Sequence, residues 1–276
     1  MMIFKSRKPE PTIQEWKPLS QRTNEENIGI SIGSAIYQGK RSSQQDSIVV
    51  SKVNGDKPII ALLSDGMGGM ADGSRASTTC TKGIFNDFNN SLEIESYPRF
   101  LKSEIVKYDG IISDFCDENG KPIRSGATLI ACIVDKDNLF WATVGDSHLY
   151  IIRDNKIIQV NNDHNFMIDL NKKVKQGLIT KQQALEDPHK DSLISFLGMN
   201  GVRIMDINEE PFKLKRDDIV IMCSDGLYRT LNDEVIREIT RFYKGNIQNV
   251  CEKLVTAVID RDNPTQDNTS VVIIKY

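Results

Sequence analysis

The chain has 276 residues, with 35 Lys and Arg against 38 Asp and Glu, a formal net charge of −3. Apolar residues make up 39% and charged residues 26%, which excludes collagen-like, low-complexity and wholly disordered chains. The near-neutral balance also argues against nucleic acid as a partner, because broad phosphate binding needs a clustered basic surface.

Residues 1–26 are polar, carry Pro9, Pro11 and Pro18, and read as an N-terminal extension. The character changes near Ile28, and residues 27–276 are expected to form one domain. Apolar patterning predicts strands over 28–38, 46–53 and 59–64, then helices over 74–89 and 98–116. Strands follow over 127–134, 138–144, 148–153 and 156–160, joined by Asp- and Asn-rich turns that suit antiparallel hairpins. Residues 161–198 read as a small helical flap. Gly177 is placed to end one helix, and Thr180-Lys-Gln-Gln183 resembles a capping box. Strands resume over 202–208 and 218–224, helices over 232–243 and 247–260, and a last strand over 269–275. Asn232 is a plausible N-cap, with Leu231 and Ile236 placed as a hydrophobic staple. Runs of strands followed by pairs of helices favour an α+β fold with antiparallel sheets over alternating βαβ units.

The five cysteines, Cys80, Cys116, Cys132, Cys223 and Cys251, include no C-x-x-C pair, and there are only three histidines. A zinc site is therefore not expected, and reduced thiols in a cytoplasmic protein are the simplest reading. Met1 to Pro11 lacks the apolar stretch of a signal peptide. No window approaches the ~20 apolar residues of a membrane span, so no membrane association is expected.

The informative feature is where the aspartates fall. Apolar runs end in Ser64-Asp65-Gly66, Gly145-Asp146-Ser147 and Ser224-Asp225-Gly226, while Asp46 and Asp267 stand at the starts of apolar runs. Strands sharing one sheet edge would gather these five carboxylates at one end of it. Ionised carboxylates in a partly dry cleft repel and raise one another's pKa, and a divalent cation relieves this. Oxygen-only ligands suit Mg²⁺ or Mn²⁺, and such ions acidify a bound water for hydrolysis. The bland alternative is that Asp-Gly, which occurs here at 65, 72, 109 and 225, is only a turn dipeptide. Repetition of one strand-end pattern favours the metal site.

At these residues the sequence resembles the metal-dependent Ser/Thr protein phosphatases of type 2C, the PPM family, and in particular its bacterial members. The matching segments are Arg41-Ser-Ser-Gln-Gln-Asp46, Asp65-Gly-Met-Gly-Gly69, Gly73-Ser-Arg-Ala-Ser77, Ser125-Gly-Ala-Thr128, Val144-Gly-Asp-Ser147 with Tyr150, Asp163-His164, Cys223-Ser-Asp-Gly-Leu227 and Asp267-Asn268. The resemblance implies a central sandwich of two antiparallel β-sheets flanked by helices, four layers in all, with metals at one end. It implies Asp65 as the bridge between two Mn²⁺ or Mg²⁺ ions and Gly66 as a carbonyl ligand. Asp225 and Asp267 would serve the first ion, Asp46 the second, and Asp146 a third, weaker site. Arg41 would hold the substrate phosphate, and a metal-bridging hydroxide would attack phosphoserine or phosphothreonine directly, with no phosphoenzyme. Phosphoprotein substrates, a cognate Ser/Thr kinase, a role in signal transduction and action as a monomer go with that resemblance.

Several residues depart from the family pattern. Gln44, Gln45, Met70, Ser74 and His148 stand where relatives often have other side chains, and Arg229 stands where some place an Asp that supports the third ion. The departures at Gln44, Gln45 and Met70 motivate an alternative, a catalytically weak pseudophosphatase that binds phosphoproteins and regulates them. A second alternative is a Cys-dependent phosphatase, because Cys223 and Arg229 have C-x₅-R spacing. Asp225 inside such a loop would repel a phosphate dianion. Gly66-Met-Gly-Gly-Met-Ala71 also matches a dinucleotide fingerprint, but Asp65 before it opposes a pyrophosphate.

Overall fold

The computed structural model describes residues 29–54, 57–68, 72–242 and 246–276. The expected N-terminal extension lies outside them, as does Met70. The described chain runs β1 (Ser31–Tyr37), β2 (Asp46–Val50), β3 (Ile59–Gly68), α1 (Asp72–Asn90), α2 (Tyr97–Ser113), β4 (Ser125–Ala127) and β5 (Leu129–Asp135). It continues through β6 (Asn138–Val144), β7 (His148–Arg153), β8 (Lys156–Gln159), α3 (Met167–Lys175), α4 (Lys181–Glu186), β9 (Asp206–Ile207) and β10 (Phe212–Lys213). The last elements are β11 (Ile219–Cys223), α5 (Asp225–Tyr228), α6 (Asp233–Phe242), α7 (Ile247–Ile259) and β12 (Thr269–Lys275).

Strand alternation sets the layers. In β3, Ile59, Ala61 and Leu63 face one side and join a buried cluster with Ile130, Leu149, Val220, Met222 and Val272, the seam between two sheets. Ile60 and Leu62 face the other side and pack with Ile84, Leu101, Ile105 and Ile112 of α1 and α2. On the opposite flank, Ile221, Cys223, Val271 and Ile273 of β11 and β12 pack with Ile236, Val250, Cys251 and Leu254 of α6 and α7. Both faces of β3 and β11 are thus dry, which is why their sequences read as continuous apolar runs. Each fully buried Ile or Leu in these layers contributes about 1.5–3 kcal/mol.

One sheet has the order β1-β12-β11-β7-β8. The other has the order β10-β6-β5-β3-β2, with β4 pairing to β3 and β9 to β6. The strand pairs are antiparallel throughout, as in Tyr37↔Thr269, Asp46↔Asp65 and Cys223↔Val271. The fold is therefore α+β, two antiparallel sheets flanked by helices.

Two readings of the sequence need correction. The third strand does not stop at Ser64: β3 runs through Asp65 to Gly68 because β4 supplies a second partner, with Gly66 opposite Ala127. The strand expected over 202–208 is reduced to Asp206–Ile207. Its neighbourhood is held by side chains instead. Asp109 accepts from the backbone N–H groups of Gly198, Met199 and Gly201 at 2.6–3.0 Å, and Ser195 Oγ accepts from Ile204 N at 2.9 Å.

Candidate metal centre

The aspartates converge across the sandwich rather than along one sheet edge. Asp46 opens β2 and lies opposite Asp65 of β3 in register. Asp146 lies between β6 of that sheet and β7 of the other, in the crossover that joins the two. Asp225 starts α5 directly after β11, and Asp267 precedes β12, so these two come from the other sheet. The sheets are stitched at this end by Ser224, whose hydroxyl donates to Asp46 Oδ2 at 2.8 Å and accepts from Ser270 N at 2.9 Å.

Close backbone approach explains two of the glycines. A Cβ on Gly226 would stand 2.1 Å from the Asn268 carbonyl oxygen, and one on Gly66 would stand 2.1 Å from that of Gly73. Only glycine lets Asp225 reach the Asp267 loop and Asp65 reach α1. Asn268 ties the Arg41 loop to the same point: its amide donates to the carbonyls of Gln38 and Ser43 at 2.7 and 3.0 Å and its oxygen accepts from Gln45 N at 2.8 Å. Thr128 fixes Asp65, with Oγ1 accepting from Asp65 N at 2.9 Å and its own N–H donating to the Asp65 carbonyl at 2.8 Å.

The electrostatics are those of a crowded acidic site. Burial first, then the charges of Asp46, Asp225, Asp146 and Asp267, hold the Asp65 pKa well above the ordinary carboxylate range. Burial pushes Asp46 up to about 7 against the Ser270 and Ser224 hydroxyls, with Asp225 and Asp267 adding to the rise. Burial and Asp225 bring Asp146 to about 6, against the pull of Arg229. Burial and Asp267 also raise Asp225, opposed by Arg229 and Arg41.

Two guanidinium groups answer part of this charge. Arg41 pairs with Asp267. Arg229 reaches Asp225 Oδ2 at 3.0 Å and Asp146 Oδ2 at 3.6 Å. With those pairings, no group of three or more Asp, Glu, His or Cys among the described residues is already gathered as a cation cage. Yet Asp46 Oδ1 and Asp225 Oδ1 are buried and meet no hydrogen-bond geometry with the described residues, although the Ser270 hydroxyl stands near enough to Asp46 to lower its pKa. Buried carboxylate oxygens left that way are costly unless a cation meets them. Oxygen donors, unpartnered lone pairs and raised pKa values together fit a hard divalent ion.

Beside these residues lies a cleft of about 500 Å³, bordered by Arg41, Asp225, Arg229 and Asp267 and, from the segment between β8 and β9, by Asp191 and Ser192. That segment holds α3 and α4, and its Thr180–Gln183 capping box forms as the sequence led us to expect. Lys172, Lys173 and Lys175 point to solvent, consistent with a solvated face. His164 is buried, accepting from Gly145 N at 3.1 Å through Nδ1 beneath the Asp146 turn.

Cys223 is fully buried in the α5–α7 layer, and burial pushes its thiol far above the ordinary value. A thiolate nucleophile needs the opposite. Arg229, its partner in that scheme, is engaged with carboxylates. Among the other departures, Gln44 uses its side-chain oxygen to accept from Asp46 N at 2.8 Å. His148 stacks on Tyr228 with ring centroids 3.5 Å apart. The positioning roles of Ser224, Thr128 and Asn268 were not anticipated from the sequence, although each sits inside a matched motif.

The protein phosphatase 2C family model matches residues 70–167. The serine/threonine phosphatase stp of Listeria welshimeri is 26% identical over 225 residues, covering 80% of this chain and 86% of its own. The chain is thus similar to the protein phosphatase 2C family. In three dimensions the chain superimposes on the S. agalactiae serine/threonine phosphatase with a TM-score of 0.77 at 24% identity, covering 89% of this chain and 99% of the other. The catalytic domain of the serine/threonine protein phosphatase PstP, solved in complex with two manganese ions, gives a TM-score of 0.69 at 22% identity over 89% and 97%. At those identities the two structures confirm the fold. Among the described residues, no helix is long and apolar enough to cross a membrane.

Proposed function

We propose that the chain is a Mn²⁺- or Mg²⁺-dependent protein phosphatase that hydrolyses phosphoserine and phosphothreonine by direct attack of water, with no phosphorylated enzyme side chain. The observation that carries this is the approach of Asp46, Asp65, Asp225 and Asp267 from two sheets, near enough to raise the Asp65 pKa, beside a cleft that Asp225 and Asp267 border. Asp46, Asp65, Asp225, Asp267 and the Gly66 carbonyl would hold two ions. Bound there, the ions supply a water acidified to the neutral range and positive charge against the phosphoryl oxygens.

The chain's own residues do the rest. Ser224 holds one oxygen of Asp46. Asn268 fixes the Arg41 loop beside Asp267. From there Arg41, whose side chain is 59% exposed, offers a planar fork to two phosphate oxygens at the cleft mouth. Residues 161–198 act as a flap within a single catalytic domain, presenting Asp191 and Ser192 to the arriving peptide.

A cognate Ser/Thr kinase, a cytoplasmic location and action as a monomer belong to the same proposal. The free state of all five cysteines agrees with a reducing compartment. The test is hydrolysis of a phosphothreonine peptide by the purified chain: activity with Mn²⁺, loss in EDTA, and return on Mn²⁺ re-addition. Failure to hydrolyse at saturating Mn²⁺, while the phosphopeptide still binds, would replace this reading with the pseudophosphatase.

A further inference from the structure

Arg229 stands at the C-terminal end of α5, one turn beyond Asp225. Its Nε lies 3.0 Å from Asp225 Oδ2 and its Nη2 lies 3.6 Å from Asp146 Oδ2, so one guanidinium spans the carboxylate after β11 and the carboxylate of the β6–β7 crossover. The next carboxylate on that side is also engaged. Asp163 Oδ1 lies 3.0 Å from His148 Nε2 and accepts from Gln159 Nε2 at 2.8 Å. His148 in turn stacks on Tyr228, the residue before Arg229. The unpartnered oxygens are elsewhere: Asp225 Oδ1 and Asp46 Oδ1 are buried without hydrogen bonds, while Asp225 Oδ2 and Asp46 Oδ2 are taken by Arg229 and Ser224.

The site is thus divided by atom. On one side, bare carboxylate oxygens await cations. On the Asp146 side, a permanently charged, tethered guanidinium already sits between the acids. It is chemically unable to lose its proton there, and a divalent ion arriving beside it meets a like charge at close range. The residues around Asp146 therefore do not fit a third ion.

We infer that Arg229 is a built-in cation that takes the place of a third metal ion, so that this chain loads two divalent ions and uses Asp146 as the acceptor of an arginine, not as a metal ligand. This rests on the two-ion reading of the centre. Arg229 is a positioning residue: it holds Asp225 so that Oδ1 faces the ion pair.

Mn²⁺ stoichiometry of the full chain, measured by equilibrium dialysis with metal analysis, tests it. The wild-type chain should saturate at two Mn²⁺. Arg229→Ala, whose side chain is 47% exposed and so removable without opening the core, should gain a third, and the added substitution Asp146→Asn should abolish that third ion. Asp146→Asn alone should leave both the stoichiometry and the Mn²⁺ affinity of the wild type unchanged, a result independent of how Arg229→Ala folds. Three ions on the wild type, or a loss of Mn²⁺ affinity of tenfold or more in Asp146→Asn alone, would overturn this inference and leave the two-ion centre standing. No Mn²⁺ on the wild type would overturn both.

Discussion

Gly226→Ala should disable the site through the backbone. The added Cβ would stand 2.1 Å from the Asn268 carbonyl oxygen, 2.7 Å from Thr269 Oγ1 and 2.9 Å from the Asn268 carbonyl carbon. Real Cβ atoms essentially never come within 3.0 Å of another heavy atom, so the Asp225 and Asp267 segments must part by about 0.9 Å. A shift near 1 Å in a catalytic constellation costs about 10²-fold in rate, or ~2.7 kcal/mol of transition-state stabilisation. The clash itself should cost about 1–3 kcal/mol of stability, a Tm decrease of ~2–4 °C per kcal/mol in a domain of this size. The assay is kcat/KM on a phosphothreonine peptide at saturating Mn²⁺, with a thermal melt of the same sample. Gly110→Ala is the control, since its Cβ would meet nothing within 4 Å and should be neutral or stabilising by about 0.5–1 kcal/mol. Activity of Gly226→Ala within threefold of wild type would refute the claim that this backbone contact sets the site.

Asp65→Asn should lower kcat at least ~10²-fold, as expected for loss of a metal ligand, while the protein still folds. Because Asp65 has a raised folded pKa, its ionisation opposes folding once pH exceeds the unfolded value. In EDTA the Asn variant should therefore melt above wild type at pH 8, with the gap closing by pH 4. Glu104 follows the same sign away from the site. Burial, then Asp87, push its pKa from 4.5 up to about 7. Stability from this group is complete below pH 4.5 and falls as pH rises through about 7. Glu104→Gln should flatten that limb in melts between pH 4.5 and 7.5. Cys223→Ala should keep kcat within about threefold and lower stability by roughly 1 kcal/mol, whereas a nucleophilic cysteine would lose all turnover on the same peptide.

The sequence carries the parts of this structure that rest on local pattern. The 148–153 and 269–275 runs match β7 and β12 to the residue, because each is apolar and bounded by turn residues. Asn232 caps α6 through Val235 N at 3.0 Å, and Leu231 and Ile236 share one buried cluster. What was not legible depends on distant partners. Extension of β3 past Asp65 needs the Ser125–Ala127 edge, and loss of most of the strand expected over 202–208 needs Asp109 and Ser195 to take backbone N–H groups. β10 is two residues long and too short to carry a period.

The site divides in the same way. Strand-end aspartates suggested a carboxylate cluster, and the motif order pointed to the family that the chain resembles. Which sheet each one comes from was not legible, since strand order across two sheets is not written in any single segment. Arg229 was visible only as a departure from the family pattern. Its bridging of Asp225 and Asp146 appears once α5 places it one turn beyond Asp225. The same holds for Ser224, an unremarkable strand-end serine until β11 and β2 are brought together by the sandwich.

The central claim is that carboxylates from two sheets share a pair of divalent ions at the cleft. Anomalous diffraction at the manganese edge from crystals grown with Mn²⁺ tests it most directly. The account predicts two peaks, both within ligand distance of Asp65, with Asp225 and Asp267 on one and Asp46 on the side of the other. Peaks bound elsewhere, or Asp65, Asp225 and Asp267 sharing no ion at saturating Mn²⁺, would contradict it.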